Sequence, residues 1–161
     1  MDYIWTPWRY QYITNAIVGE KPECIFCDAA KRTDDATTLV VHRGVSSFAI
    51  LNRFPYTSGH LMIVPYKHTA EISGLDATTL TEIMHLAQRT EAVFKSLYKP
   101  DGMNFGMNLG RAAGAGIAGH LHLHALPRWV GDASFMSVTG ETRVLPEDLA
   151  KTFERVRAAL A

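Results

Sequence analysis

The chain is poor in cysteine and has no excess of either charge. Two cysteines in 161 residues cannot build a disulfide framework. Sixteen basic residues balance sixteen acidic ones, so there is no bulk charge to hold nucleic acid or an anionic membrane. No apolar run approaches the ~20 residues that a bilayer span requires. The opening Met-Asp-Tyr-Ile-Trp-Thr-Pro-Trp-Arg has no basic segment followed by an apolar one, so no secretory signal is read and the expected compartment is the cytoplasm. Internal repeats, low-complexity tracts and linkers are missing too. A length of 161 residues with 47% apolar and 20% charged side chains describes one ordinary globular domain, 1–161, with a core of its own.

Histidine is what the chain has in excess: seven residues, three of them within five positions. His120-Leu-His122-Leu-His124-Ala-Leu alternates with period two. In a strand this puts the imidazoles on one face and Leu121, Leu123 and Ala125 on the other. The apolar face is expected to be buried and the imidazole face to look toward solvent or a site. Same-face neighbours stand roughly 6.6 Å apart, so three imidazoles on a straight strand converge poorly on one metal. A division of labour follows, with one end serving structure and the middle serving chemistry.

Just before the trio runs Gly-Arg-Ala-Ala-Gly-Ala-Gly-Ile-Ala-Gly, 110–119. Its glycines allow tight turns that present N–H groups to phosphate oxygens. It is not a P-loop, since no Gly-Lys-Ser/Thr follows and it leads into a strand. An imidazole beside such a nest suits phosphoryl or nucleotidyl transfer. With an ordinary pKa of about 6.5 the neutral ring can attack phosphorus and then be displaced by an acceptor.

Elsewhere the pattern is coarser. The aromatic stretch 1–20, with Tyr3, Trp5, Trp8, Tyr10 and Tyr12, reads as an arm packed on a partner subunit or on its own core. Residues 38–41, 47–51, 60–64, 103–109 and 120–126 read as strands. Residues 76–98 read as a helix capped by Asp76, with Leu80, Ile83, Met84, Ala87, Phe94 and Leu97 on one face. Pro146 opens a last helix, 146–161, with Leu149, Phe153, Val156 and Leu160 inward. Strands clustered around one long helix point to an α+β fold with a mainly antiparallel sheet.

These motifs resemble a known family. His120 to Leu126, followed by Pro127-Arg128-Trp129, is similar to the signature of the histidine-triad (HIT) superfamily. Asn52 through Pro65 resembles that family's ribose-side turn and following strand, Pro65-Tyr66-Lys67-His68 its Pro-x-x-His, and Cys24-Ile25-Phe26-Cys27 the zinc knuckle of many bacterial members. The opening Trp-Thr-Pro-Trp-Arg and the stretch from Pro127 resemble the branch acting as diadenosine tetraphosphate phosphorylases, or ATP adenylyltransferases. The resemblance implies a five-stranded antiparallel sheet with one long helix and a C-terminal helix, extended to ten strands across a homodimer. It implies His122 as nucleophile on the α-phosphorus and His124 as a phosphate-contacting partner. Asn52 would bind ribose, and Phe26 and Ile50 would flank the base. Asn108 and the backbone of Gly114, Ala115 and Gly116 would hold phosphate. Many relatives carry a polar side chain in that loop; here Gly114-Ala115-Gly116-Ile117 has none, so backbone amides must replace it.

The knuckle, 21–31, supplies two thiols, and a structural zinc needs two more ligands. His68 and His120 are the candidates, at positions that zinc-bearing relatives use. Closure by four protein ligands would leave no position for a catalytic water. The alternatives are an unmetallated pair of buried thiols and a redox dithiol. His60 reads as a structural histidine near the site. Arg128 reads equally as a polyphosphate contact or a surface ion pair, and Trp129 as a packing residue or a platform for a second nucleotide.

The favoured activity is phosphorolysis of diadenosine tetraphosphate to ATP and ADP through a nucleotidyl-His122. Hydrolysis of dinucleoside polyphosphates or of adenosine phosphoramidates is the nearest alternative. A metal hydrolase using His122 and His124 as a chelate, and a non-catalytic nucleotide sensor, are the readings from other classes. Partners are then a nucleotide substrate and a second copy, with no nucleic acid and no membrane.

Overall fold

The computed structural model of the protein describes residues 23–132 and 147–161. The aromatic arm expected over 1–20 lies outside these residues, as do positions 21 and 22 of the knuckle and Pro146. A short helix α1 (Ile25–Lys31) is followed by a single-turn helix α2 (Asp35–Thr38). Then come β1 (Val40–Arg43), β2 (Ser47–Leu51), β3 (Leu61–Pro65), the long helix α3 (Ala77–Tyr98), β4 (Gly102–Met107), β5 (Leu123–Arg128) and α4 (Leu149–Leu160).

The strands form one five-stranded sheet in the order β1-β2-β3-β5-β4, every neighbouring pair antiparallel. This is the α+β arrangement that the strand pattern suggests. Every residue of β2 and β3 is buried, so their sequences read as continuous apolar runs rather than alternating ones. Helix α3 packs on β2, β3 and β5, and α4 packs on α3 and β1.

Local chemistry explains the main boundaries. Asp76 caps α3, accepting from the Thr79 amide at 2.7 Å, and Lys99 ends it in the left-handed region at φ 46°. Leu39 closes α2 in the same way at φ 67°, so Thr38 belongs to that turn and β1 starts only at Val40. The carboxylate of Glu82 accepts from the Ser46 amide, the Ser47 amide and the Ser47 hydroxyl, which ties the β1–β2 turn to α3. On α3 the buried positions are Thr79, Ile83, Leu86, Ala87, Thr90 and Phe94. Met84, expected inward, is 59% exposed because the face is centred on Leu86 and Thr90. On α4 the buried residues are Thr152, Val156 and Leu160, with Leu149 and Phe153 partly buried beside them.

Two features bear on the site. The ladder of β5 begins at Leu123, so His120, Leu121 and His122 precede it. The Leu121 amide instead donates to Thr69 O at 2.7 Å, which pulls this stretch toward the segment after β3. Gly59 has φ +79° in the turn before His60, and a Cβ there would stand 3.1 Å from Tyr98 and 3.3 Å from Pro127. A side chain would therefore disturb the approach of His60 to β5.

Phe94 is wholly buried and meets Tyr98 edge-on. Replacing it with alanine is expected to cost about 3–5 kcal/mol. In urea denaturation this reads as a lower midpoint with an unchanged slope.

Candidate functional site

The three imidazoles of the trio do not form an open row. His120, His122 and His124 are 1%, 5% and 9% exposed. Of the two settings expected for the imidazole face, solvent or a site, the burial excludes open solvent: helix α1 covers the first two rings, and the β3 side covers the third. Phe26 of α1 stands 5.4 Å from His120 and 5.0 Å from His122 between ring centroids.

Backbone carbonyls set the tautomers of the buried rings. A carbonyl only accepts, so Nδ1 of His122, 2.8 Å from His120 O, carries the proton. The neutral ring then has its lone pair on Nε2, and no described residue hydrogen-bonds that atom. Burial lowers the His122 pKa below 6.5, opposed by the His120 carbonyl. The ring is thus neutral near pH 7, with one nitrogen available to an electrophile.

A second chain of contacts orients His124. The Tyr56 amide donates to Nδ1 of His60 at 3.1 Å, and the Asn52 side-chain amide lies 3.3 Å from the same atom. Nδ1 of His60 is therefore an acceptor, and its Nε2 carries the proton. That N–H faces Nδ1 of His124 at 2.8 Å. In turn His124 must keep its own proton on Nε2. Burial first, and then the neighbouring His122, push the His124 pKa down to about 4. His124 is a neutral hydrogen-bond donor whose ring lies 4.8 Å from that of His122. His60, read from sequence as merely structural, is the residue that assigns this role. Its position after Gly59 hinted at the site, but the link needs the pairing of Met62 with His124 across β3 and β5.

The candidate metal ligands come together. One ligand atom each from Cys24, Cys27, His68 and His120 lies within 4.8 Å of the others. Nδ1 of His120 is 3.3 Å from Cys24 Sγ, 3.6 Å from Cys27 Sγ and 3.2 Å from Nδ1 of His68. Cys27 Sγ is 3.3 Å from Nδ1 of His68. The edges of a tetrahedron built on usual zinc–nitrogen and zinc–sulfur bonds measure about 3.4–3.8 Å, and these four donor–donor distances lie close to that range. Pro65 O accepts from Nε2 of His120 at 2.9 Å, which leaves the lone pair on Nδ1, toward the thiols. Burial first, and then Cys24, raise the pKa of Cys27; a bound cation would act in the opposite sense. The thiols form no disulfide.

The remaining candidates are placed less uniformly. Asn52 sits at the end of β2, its Oδ1 accepting from the Phe54 amide at 2.9 Å. Ile50 is buried within β2, paired with Val40 and Met62. Asn108 follows β4 and is partly buried. In the glycine loop, the Gly114 amide donates to Arg111 O at 3.0 Å and the Ala115 amide to Gly110 O at 3.3 Å. The Gly116 amide has no backbone partner among the described residues. Of the three amides expected to meet phosphate, two thus already shape the loop. Arg128 is held by both oxygens of Asp132, at 2.6 and 2.7 Å, and by Asn104 Oδ1 at 2.7 Å, which favours the ion-pair reading.

Residues 32–130 match the family model described as the HIT domain. An AP-4-A phosphorylase from Mycobacterium tuberculosis is 40% identical over 157 residues, covering 94% of this chain and 80% of that protein. A zinc-bound histidine triad family protein from Mycobacterium smegmatis superposes with a TM-score of 0.68 at 27% identity, covering 86% and 93% of the two chains. A hypothetical histidine triad nucleotide-binding protein from Sulfolobus tokodaii gives 0.68 at 28% identity, covering 85% and 91%. The buried, tautomer-locked histidines and these similarities lead to the same place: the chain belongs to the HIT family.

Proposed function

We propose that the protein is a nucleotidyl transferase that phosphorolyses diadenosine tetraphosphate to ATP and ADP, with His122 as the covalent nucleophile. The observation that carries this is the His122 ring itself. Its Nδ1–H is tied to a carbonyl, its Nε2 lone pair has no hydrogen-bond partner among the described residues, and the donor His124 stands beside it. The 40% identity to the AP-4-A phosphorylase of Mycobacterium tuberculosis supports the substrate class.

Nε2 of His122 attacks the α-phosphorus of one adenylyl end. A P–N bond forms and the P–O bond to the remaining triphosphate breaks, releasing ATP. The Nε2–H of His124 donates to the phosphoryl or departing oxygen, where negative charge accumulates. An oxygen of inorganic phosphate then attacks the same phosphorus, the P–N bond breaks, and ADP leaves. Hydrolysis would differ only in the acceptor, giving AMP from the adenylyl half.

For substrate binding we assign Phe26 and Ile50 to the base, Asn52 to ribose, and Asn108 with the Gly114, Ala115 and Gly116 backbone to phosphate. Gly116 has the amide best placed to donate, since its neighbours' amides are engaged within the loop. Asn52 keeps hydrogen-bonding capacity beyond its contacts with Phe54 and His60. Zinc is assigned to Cys24, Cys27, His68 and His120, because two thiols and two imidazoles gathered within 4.8 Å of one another are a ligand set that zinc takes. Bound there it would anchor α1 to the start of the histidine segment. His122 and His124 lie outside that cluster, which disfavours the metal-hydrolase reading. A second copy would pair along β4, an edge strand with Phe105 39% exposed, to give the ten-stranded sheet. Among the described residues no helix is long and apolar enough to cross a membrane. A cytoplasmic setting suits two unpaired thiols and a nucleotide substrate.

Incubation with substrate labelled at the α-phosphorus, then denaturation without acid, is expected to leave label on His122. His122→Asn should lose roughly a thousandfold or more in turnover while nucleotide affinity changes only a few-fold. Absence of adduct together with near-normal activity in the variant would sink the reading. With phosphate present, label in ADP marks phosphorolysis and label in AMP marks hydrolysis.

The pH profile carries a sign. A protonated His122 cannot attack, and burial lowers its pKa, so the neutral form persists further into acid than an ordinary imidazole. The acid limb of kcat/KM is therefore expected to inflect below pH 6.5. His60→Ala removes the group that sets the His124 tautomer and is expected to lower kcat roughly 10- to 100-fold at little change in KM. A loss confined to KM in steady-state assays would contradict that role.

A further inference from the structure

We propose that Arg43 is a positioning residue that governs retention of the metal and the seating of Phe26 against His122. The inference rests on the zinc reading above.

Helix α1 has only seven residues, too few to persist by itself. Its N-cap, Cys24, makes no side-chain capping bond, and the Cys24 thiol faces His120 instead. The metal cluster therefore ties down the N-terminal end. The C-terminal end is tied by a residue from another element. Arg43, at the end of β1, donates from Nη1 to Ala30 O at 3.1 Å, and from Nη2 to Ala29 O at 3.0 Å and Arg32 O at 2.6 Å. These are the carbonyls that a helix end leaves without partners, at the negative pole of its dipole.

The guanidinium is itself oriented. Its Nε and Nη2 donate to Asp35 Oδ1 at 3.0 and 2.8 Å. The other oxygen of Asp35 accepts from Arg157 Nη1 at 3.0 Å, and the same nitrogen reaches Val40 O at 3.0 Å. A continuous line of contacts thus runs from α4 through Asp35 and Arg43 to α1. Between the two tethered ends of α1 sit Cys27, beside His68, and Phe26, 1% exposed against His120 and His122. A helix about 10 Å long pivots as a unit, so release of one end shifts both residues. Lysine cannot substitute, because one ammonium lacks the planar fork that spans three carbonyls and a carboxylate.

The test loads wild type, Arg43→Lys, Asp35→Asn and Arg155→Lys with zinc and follows its release to a coloured chelator at pH 7.5. Arg155 is the control: it joins Glu147 and Leu97 O, linking α4 to the end of α3 without touching α1. Arg43→Lys is expected to release zinc about tenfold faster, and Asp35→Asn to move the same way. Arg155→Lys should keep the wild-type rate even where its Tm falls. If Arg43→Lys does not fold, Asp35→Asn decides. Wild-type release rates in both α1-clamp variants, equal acceleration in the Arg155 control, or failure of the wild-type chain to take up zinc would each overturn the proposal. None of these outcomes touches the His122 adduct, so failure here and failure of the catalytic reading are told apart.

Discussion

The Nδ1–H of His122 donates to the His120 carbonyl at 2.8 Å, and the rest of the site is ordered around that contact. An imidazole in water exchanges its proton between two nitrogens and presents either face to an electrophile. Here one nitrogen is committed, so the other holds the lone pair. The same device acts two residues earlier, where Pro65 O accepts a hydrogen bond from the Nε2–H of His120 and leaves the Nδ1 lone pair for the thiols. Two residues apart, the same side chain is given opposite tautomers by the carbonyl it meets.

Burial reinforces that assignment. Desolvation disfavours the charged imidazolium, so His120, His122 and His124 all have lowered pKa values. A row of solvated histidines would titrate close to pH 6.5 and repel one another below it. Enclosed rings stay neutral and act through fixed donors and lone pairs. The relay from the Tyr56 amide through His60 to His124 has the same logic, and it sets a donor beside a nucleophile. Helix α1 is part of this enclosure, which is why the Arg43 and Asp35 contacts at its far end belong to the site's architecture.

Much of this was legible in the chain. Period-two histidines beside a glycine loop indicated phosphate chemistry, and the CxxC with two later histidines indicated a metal site. The long helix was readable from its periodicity and its Asp76 cap, the strands from their β-rich runs. Errors arose where local pattern was overruled by packing. His120–His122 alternate like a strand, yet the Leu121 amide bonds Thr69 O and the ladder begins at Leu123. Met84 lies at helical spacing from the core positions yet is exposed.

The order of residues sets the chemical inventory: which side chains can attack, donate or ligate, and that a strand-rich α+β chain carries them. Their states come from the folded arrangement. Tautomer, protonation and ligand convergence depend on atoms from distant parts of the chain: Pro65 on His120, His60 on His124, Arg43 on α1. A hydrogen bond is directional and short-ranged, so periodicity along one segment carries no record of which carbonyl or guanidinium will meet it once the sheet is assembled.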